Sequence, residues 1–295
     1  MNYSLTRVSW VIAALVVLFF AIGIQQLQSS SVVKKQQSRE LNHKILKWLS
    51  PLDFRQRQQD VLSFRSPGTV NWFLEDNSYI SWVAAGKNET LWLHGAPGTG
   101  KTVVASIAID HLRKINNGNR FAVSFVFCDY KDEALQTPEN MISAIIKEIV
   151  RNRPVSAGLK DFYNRHETSG VRPTLSELEQ LLRSEAARLT SVYVVVDAVD
   201  ELADKDSSRE KFLDALSAGM PHLNVLFTSR PHIRIAESFP AVTRQAVAAN
   251  TQDIRRYARN RMSLKSRSQL AKLVEGRIEL QDDIVETLEN ESGGM

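Results

Sequence analysis

Gly95-Ala96-Pro97-Gly98-Thr99-Gly100-Lys101-Thr102 stands directly behind the apolar run Thr90-Leu91-Trp92-Leu93-His94 and directly before an amphipathic stretch from Thr102 to Lys114. The octet meets G-x-x-x-x-G-K-[ST] at every fixed position, and its flanks supply the strand and the helix that the pattern needs on either side. Each fixed residue has a physical task. The glycines let successive backbone N–H groups curl around phosphate oxygens, Lys101 carries positive charge to the β- and γ-phosphates, and Thr102 offers a hydroxyl to Mg²⁺ while the helix N-terminus adds its dipole. Gly95, Ala96, Pro97, Gly98, Thr99, Gly100, Lys101 and Thr102 are therefore expected to bind nucleotide, with Thr102 also a metal ligand.

Working outward, short apolar segments alternate with amphipathic ones. Strands are expected at Thr90–His94, Phe121–Cys128, Val192–Val196, Asn224–Thr228 and Val242–Val247. Helices are expected at Thr102–Lys114, Pro138–Arg151, Thr174–Leu189, Ser208–Ala218 and Thr251–Met262. Such alternation implies an α/β fold, a parallel sheet covered by helices on both faces. Before it, Leu41, Ile45, Leu46, Trp48 and Leu49 recur at helical spacing up to the stop Ser50-Pro51, a second helical stretch runs from Phe54 to Phe64, and Pro67-Gly68 marks a turn.

A phosphate-bound Mg²⁺ needs an acidic ligand at the end of a later strand, and Val192-Tyr193-Val194-Val195-Val196-Asp197 supplies Asp197. Asp200 and Glu201 follow, either of which could polarise an attacking water; the sequence does not choose, although Glu201 is favoured as general base. A surface acidic turn is the plainer alternative for this pair. The strand Asn224–Thr228 leads into Ser229 and Arg230, at the carboxyl end of the sheet where ligands of open α/β folds bind. There Arg230 can reach a γ-phosphate, for which a guanidinium suits better than an ammonium. A surface arginine after a strand is the competing reading.

Composition sets wider limits. The chain has 295 residues, 43% of them hydrophobic and 24% charged, enough to bury a substantial core. Its single cysteine, Cys128, precludes an internal disulfide and falls in an apolar run, which points to a core thiol. A net charge of +4 and a pI near 9.1 are too mild to imply nucleic acid. Basic residues do gather late, at Arg255, Arg256, Arg259, Arg261, Lys265, Arg267 and Lys272, and these read as a solvated helix face. No aromatic interleaving suggests base stacking, so no nucleic-acid partner is expected.

Val8 to Ile24 is a run of 17 uncharged residues, short but sufficient for a membrane-spanning helix. A cleaved signal peptide and a buried helix are alternatives. As an anchor, with Lys34, Lys35 and Arg39 following against Arg7 before, it would leave the chain's C-terminal side in the cytosol. The expected organisation is a hydrophobic segment over residues 1–24, a Gln/Ser-rich linker over 25–40, a helical lead-in over 41–88, the nucleotide-binding core over 89–265 and a helical tail over 266–295, with a helix from Asp282 to Glu289.

Three motifs in this order, Gly95 to Thr102, Val194 to Glu201 with small Ala198 after the aspartate, and Thr228-Ser229-Arg230, resemble the NACHT branch of signal-transducing RecA-like (ASCE) P-loop NTPases. The stretches beginning at Trp48 (WLSPLDFRQRQQD) and Gly68 (GTVNWFLEDNSYISWV) are similar to the lead-in of fungal NACHT proteins of the nephrocystin-like type. The resemblance implies a nucleotide-operated switch using ATP, ADP and Mg²⁺, closed with ADP, self-associating with ATP and reset by slow hydrolysis. It suggests fungal non-self recognition or cell-death signalling. The alternative is a non-hydrolysing, nucleotide-binding scaffold that assembles at a membrane; a constitutive motor finds no arginine finger or channel here. The absence of N-K-x-D favours ATP over GTP. In such proteins the region matching Gly68-Thr69 lies against adenine, and Val70 departs from a common glycine there. They usually continue into a winged helix and ligand-sensing repeats, so a chain ending at Met295 reads as a truncated gene product or a stand-alone membrane-tethered module, with a cytoplasmic protein as the alternative.

Overall fold

The computed structural model describes residues 33, 36–85, 88–116, 120–202, 205–218, 222–233, 235, 238–239, 241–248, 250–263 and 269–292. The chain divides into two compact units, Met1–Trp48 and Leu49–Met295. In the first, helix α1 (residues 36–49) begins within the stretch expected to be a linker, and Gln36 Nε2 donates to Glu40 Oε1 at 2.8 Å one turn along it. The hydrophobic segment 8–24 lies outside the described residues; among the described residues no helix is long and apolar enough to cross a membrane.

The second unit is built on five strands, β1 (Thr90–His94), β2 (Ala122–Phe127), β3 (Val192–Asp197), β4 (Leu223–Ser229) and β5 (Val242–Ala246). All pair in parallel in the order β2-β3-β4-β1-β5. The strand before the P-loop is thus separated from the strand ending in Asp197 by β4. Alternation along each strand sends residues to opposite faces. Leu91, Leu93, Phe125, Phe127, Tyr193, Val195 and Leu226 share one core with Val104, Ala105, Ala108, Ile109 and Leu112 of helix α4 (Lys101–Ile115). On the other face Ser124 Oγ donates to the Ile145 carbonyl of helix α5 (Pro138–Val150) at 3.1 Å.

The connecting helices carry their own start signals. Thr137 accepts from Asn140 N–H at the head of α5, with Pro138 in the first turn where a missing N–H costs nothing. Thr174 and Glu177 form a capping box on helix α7 (Leu175–Ala186), and Ser156 caps helix α6 (Ala157–Ser169), which ends at Gly170 with φ +68°. Helices α2 (Arg55–Phe64) and α3 (Asn77–Ala85) precede the sheet. Helix α8 (Ser208–Ser217) lies between β3 and β4, and α9 (Thr251–Met262), α10 (Gln269–Leu273) and α11 (Ile278–Ser292) follow the sheet, with Ala258, Met262, Val274 and Val285 in a small core of their own.

The late basic residues that are described stay exposed, as a solvated helix face, and some make surface contacts. Arg255 forms an ion pair with Glu289 of α11, Arg256 donates to the Gly68 carbonyl, and Arg259 lies 4.0 Å from Asp282. Lys265 and Arg267 are outside the described residues.

Candidate functional site

Where β1 ends, the chain has no room for a side chain. A Cβ on Gly95 would lie 2.3 Å from the Val247 carbonyl oxygen, because Val247 N–H donates to the His94 carbonyl at 2.7 Å and draws the exit of β5 against the loop. Gly98 and Gly100 take φ of +83° and +88°, which an L side chain would resist, and Gly100 is the N-cap of α4. The loop thereby turns from strand into helix within a few residues. Lys101 lies back across it, its Nζ donating to the Gly95 and Ala96 carbonyls at 2.8 Å each. Burial lowers the Lys101 pKa, while the nearby Asp200, Asp197 and Glu201 act against that fall.

One row across the sheet fixes the acidic partner. Leu93 pairs with Thr228 and Phe127 with Asp197, so Thr228 and Asp197 leave adjacent strands on the face that carries α4. Thr228 Oγ1 donates to Asp197 Oδ1 at 2.5 Å and accepts from Ala198 N–H at 2.8 Å. The other oxygen, Asp197 Oδ2, is buried without a protein hydrogen-bond partner. Burial raises the Asp197 pKa; the Thr228 and Thr102 hydroxyls, then Arg57 and Lys101, pull the other way. A buried carboxylate with a bare oxygen beside a P-loop threonine is the donor set a Mg²⁺ fits, since that ion completes its octahedron with phosphate oxygens and waters rather than an all-protein cage. Among the described residues no group of three His, Cys, Asp or Glu is placed to hold a metal ion. Thr102 and Asp197 would hold the ion.

Beyond Asp197 the chain takes a left-handed step at Ala198 (φ +55°), then a single 3-10 turn Val199–Glu201 closed by Glu201 N–H donating to the Ala198 carbonyl at 2.8 Å. This turn separates the two acids. Asp200 is committed to Arg230, accepting from its backbone N–H and lying 3.2 Å from its Nε. Glu201 forms no ion pair among the described residues, and its pKa is raised, first by burial and next by Asp129.

These groups line a cavity of about 320 Å³ bounded by Pro97, Lys101, Thr102, Asp200, Glu201 and Arg230. A second cavity of about 350 Å³ lies across Gly98, Gly100 and Val103, walled by Phe64, Val70, Trp72, Ile254 and Tyr257. The first carries Lys101 and Arg230 together with Asp200 and Glu201, the second is largely apolar, and the P-loop runs between. Phosphates fit the first and an aromatic base the second.

The second cavity depends on Val70, which the sequence marked only as a departure from glycine, and on Asp253, which it did not mark. Val70 adopts φ +61°, a conformation that costs a β-branched residue roughly 1–2 kcal/mol and explains why glycine is common there. It is held by Asp253 Oδ2, which accepts from Val70 N–H at 2.8 Å and Trp72 Nε1 at 3.1 Å. Asn250 at the N-cap of α9 was the available signal, since it places Asp253 in the first helical turn. Arg57 and Asp129 near Glu201 carried no signal beyond their presence in the lead-in and after β2.

Residues 68–230, more than half of the chain, match the family described as Nephrocystin 3, N-terminal. The vegetative incompatibility protein HET-E-1 of Podospora anserina is 25% identical over 186 residues, which is 59% of this chain and 13% of that protein, so the chain spans a small fraction of this relative's length. Among solved structures, the ORC1 protein of Aeropyrum pernix in complex with DNA aligns with a TM-score of 0.46 and 16% identity, over 65% of this chain and 49% of that one. AMPPCP-bound DnaA from Aquifex aeolicus aligns with a TM-score of 0.40 and 14% identity, over 74% and 57% respectively. The last two are distant, partial likenesses.

Proposed function

From the premise that the chain belongs to the nephrocystin 3 N-terminal family of NACHT-like P-loop NTPases, we propose that it binds ATP with Mg²⁺ and hydrolyses it slowly, as a switch between two signalling states. The observation that carries this is a complete P-loop whose Thr102 and Lys101 lie close to a buried Asp197, the Oδ2 of which has no protein partner. In this reading Gly95 to Thr102 hold the phosphates, Thr102 and Asp197 hold the cation, and the cation neutralises charge on the phosphates. Glu201 accepts the proton of the attacking water. Its raised pKa and freedom from ion pairing support that role, whereas Asp200 is occupied in holding Arg230 beside the phosphate cavity.

Self-association in the ATP state, carried only by the family resemblance, and a role in fungal non-self recognition, supported by the likeness to the Podospora vegetative incompatibility protein, are parts of the same proposal. So is a membrane anchor at Val8 to Ile24 with the nucleotide site in the cytosol, supported by the uncharged run and the lysines after it.

Calorimetry and phosphate release on the full chain test the site. Lys101→Ala is expected to weaken ATP binding by about 2–5 kcal/mol, the usual cost of removing one partner of a buried charged contact. Glu201→Gln is expected to bind ATP normally and to turn over about 10²–10⁴-fold more slowly. Turnover undetectable in the parent would favour the scaffold reading, measurable turnover equal in Glu201→Gln and the parent would show that Glu201 is not the base, and undiminished affinity in Lys101→Ala would remove the site itself.

A further inference from the structure

Arg57, on α2, reaches out of the lead-in toward the carboxyl edge of the sheet. Its Nη1 donates to Asp129 Oδ2 at 2.9 Å, and its guanidinium lies 5.7 Å from the centre of the Phe127 ring. Phe127 pairs with Asp197 in the sheet, and the next peptide extends the ladder, Cys128 N–H donating to the Asp197 carbonyl at 3.0 Å. Asp129 therefore emerges from β2 next to the turn that carries Glu201. It is fixed there: its N–H donates to Gln136 Oε1 at 3.0 Å, Gln136 Nε2 donates to the Phe127 carbonyl at 3.0 Å, and Asp129 Oδ1 accepts from Lys131 N–H at 3.0 Å. One carboxylate oxygen serves its own turn and the other serves Arg57.

The charges facing Glu201 come from four elements. Asp129 stands at the end of β2, Asp197 and Asp200 on Glu201's own segment, Lys101 on α4 and Arg57 on α2. Arg230, at the end of β4, is bound to Asp200. After burial, Asp129 is the foremost group disfavouring an ionised Glu201, followed by Asp200; Arg57 opposes them.

We propose that the Arg57–Asp129 ion pair is a positioning device for Glu201, through which the lead-in helix α2 governs activation of the attacking water. It rests on the reading of Glu201 as the base. In that step the water oxygen bonds to the γ-phosphorus, the bond from phosphorus to the bridging oxygen of ADP breaks, and the water proton passes to Glu201. With the pair closed, Arg57 offsets the acid that most disfavours the carboxylate, and Glu201 stays ready to accept. With α2 displaced, Asp129 faces Glu201 uncompensated, a larger fraction of the carboxyl is protonated at a given pH, and bound ATP is cleaved more slowly. Through this pair α2 sets the lifetime of the ATP state at a point apart from its last residue, Phe64, which walls the base cavity.

Phosphate release by the full chain, measured with ATP and Mg²⁺ from about pH 5 to 9, tests this in the parent, Arg57→Gln, Asp129→Asn and the double variant. The acid limb is expected to move up in Arg57→Gln and down in Asp129→Asn, each by about half a pH unit or more for a partly exposed pair. The double variant should return close to the parent, with ATP affinity near neutral pH unchanged throughout. Limbs that stay in place or move together, while Glu201→Gln still abolishes turnover, overturn the pairing and leave the base standing. Turnover that survives Glu201→Gln overturns both. Should Arg57→Gln lose ATP binding through misfolding, Asp129→Asn, which only removes a charge from a partly exposed side chain, decides by the direction of its own shift.

Discussion

Thr228 joins two parts of the site with a single hydroxyl, giving its proton to Asp197 Oδ1 and taking one from Ala198 N–H. Both contacts sit where water is excluded, Asp197 being 1% exposed and Thr228 wholly buried. Replacing Thr228 by Val keeps the shape and strands both groups, so unfolding in urea should show a loss of about 1–3 kcal/mol. Thr228→Ser, which keeps the hydroxyl, should recover most of it; equal losses in both would mean the methyl group, not the hydroxyl, is what matters. Single residues were unequally legible in the sequence. Lys101, Thr102 and Asp197 announce themselves because their chemistry demands a residue type at a set distance from a strand or helix end. Thr228 was visible only as part of a motif, since its task depends on which strand lies beside β3, a relation no local spacing encodes. Val70 was noticed as a departure from glycine, and its φ of +61° supplies the reason.

Among the elements, the wall of the apolar cavity depends on the first turn of α9 gripping the loop before α3. Asp253 holds Val70 and Trp72 together, and Arg65 reinforces the loop from within, its Nε donating to the Thr69 carbonyl at 2.9 Å. Asp253→Ala should release that wall while leaving the P-loop intact. ATP affinity should fall about tenfold, or about 1.4 kcal/mol, while inorganic triphosphate, which has no base, binds as before. An equal loss for both ligands would show that the change had reached the P-loop. The strands were legible to within about a residue because four of them are largely buried runs rich in Val, Leu and Phe, whose periodicity and length leave few alternatives. Helix α6 was not, because it buries only Leu159 and Phe162 and its other positions are small or polar. Helix α3 was covered only by the general expectation of a helical lead-in over 41–88; Tyr79 and Trp82 pack inward, but Ile80 stays exposed and blurs the stripe.

For the molecule as a whole, the parallel sheet was implied by alternation, whereas the strand order was not, since β1 pairs with β4 and β5 across more than a hundred residues of chain. That order lets groups from Phe64 to Tyr257 meet around one loop. The proposed anchor belongs at this scale too. Seventeen residues rise about 25 Å as a helix, somewhat under the ~30 Å hydrocarbon core and closer to the ~27 Å of a thin membrane. Carbonate extraction should leave the full chain in the membrane pellet, and protease added to sealed vesicles should digest the nucleotide-binding unit. Protein in the supernatant, or a protected unit, would contradict the anchor or its orientation. Cys128 gives the molecule a further use. It is the chain's one sulfhydryl, wholly buried behind the backbone that joins β2 to β3, with burial pushing its thiol pKa well up. An alkylating reagent can reach it only when the packing around the end of β2 opens, so the rate of labelling is a clock for that opening. Run with and without nucleotide, the clock reads how firmly each bound state closes the sheet edge, with no added probe and no reliance on turnover.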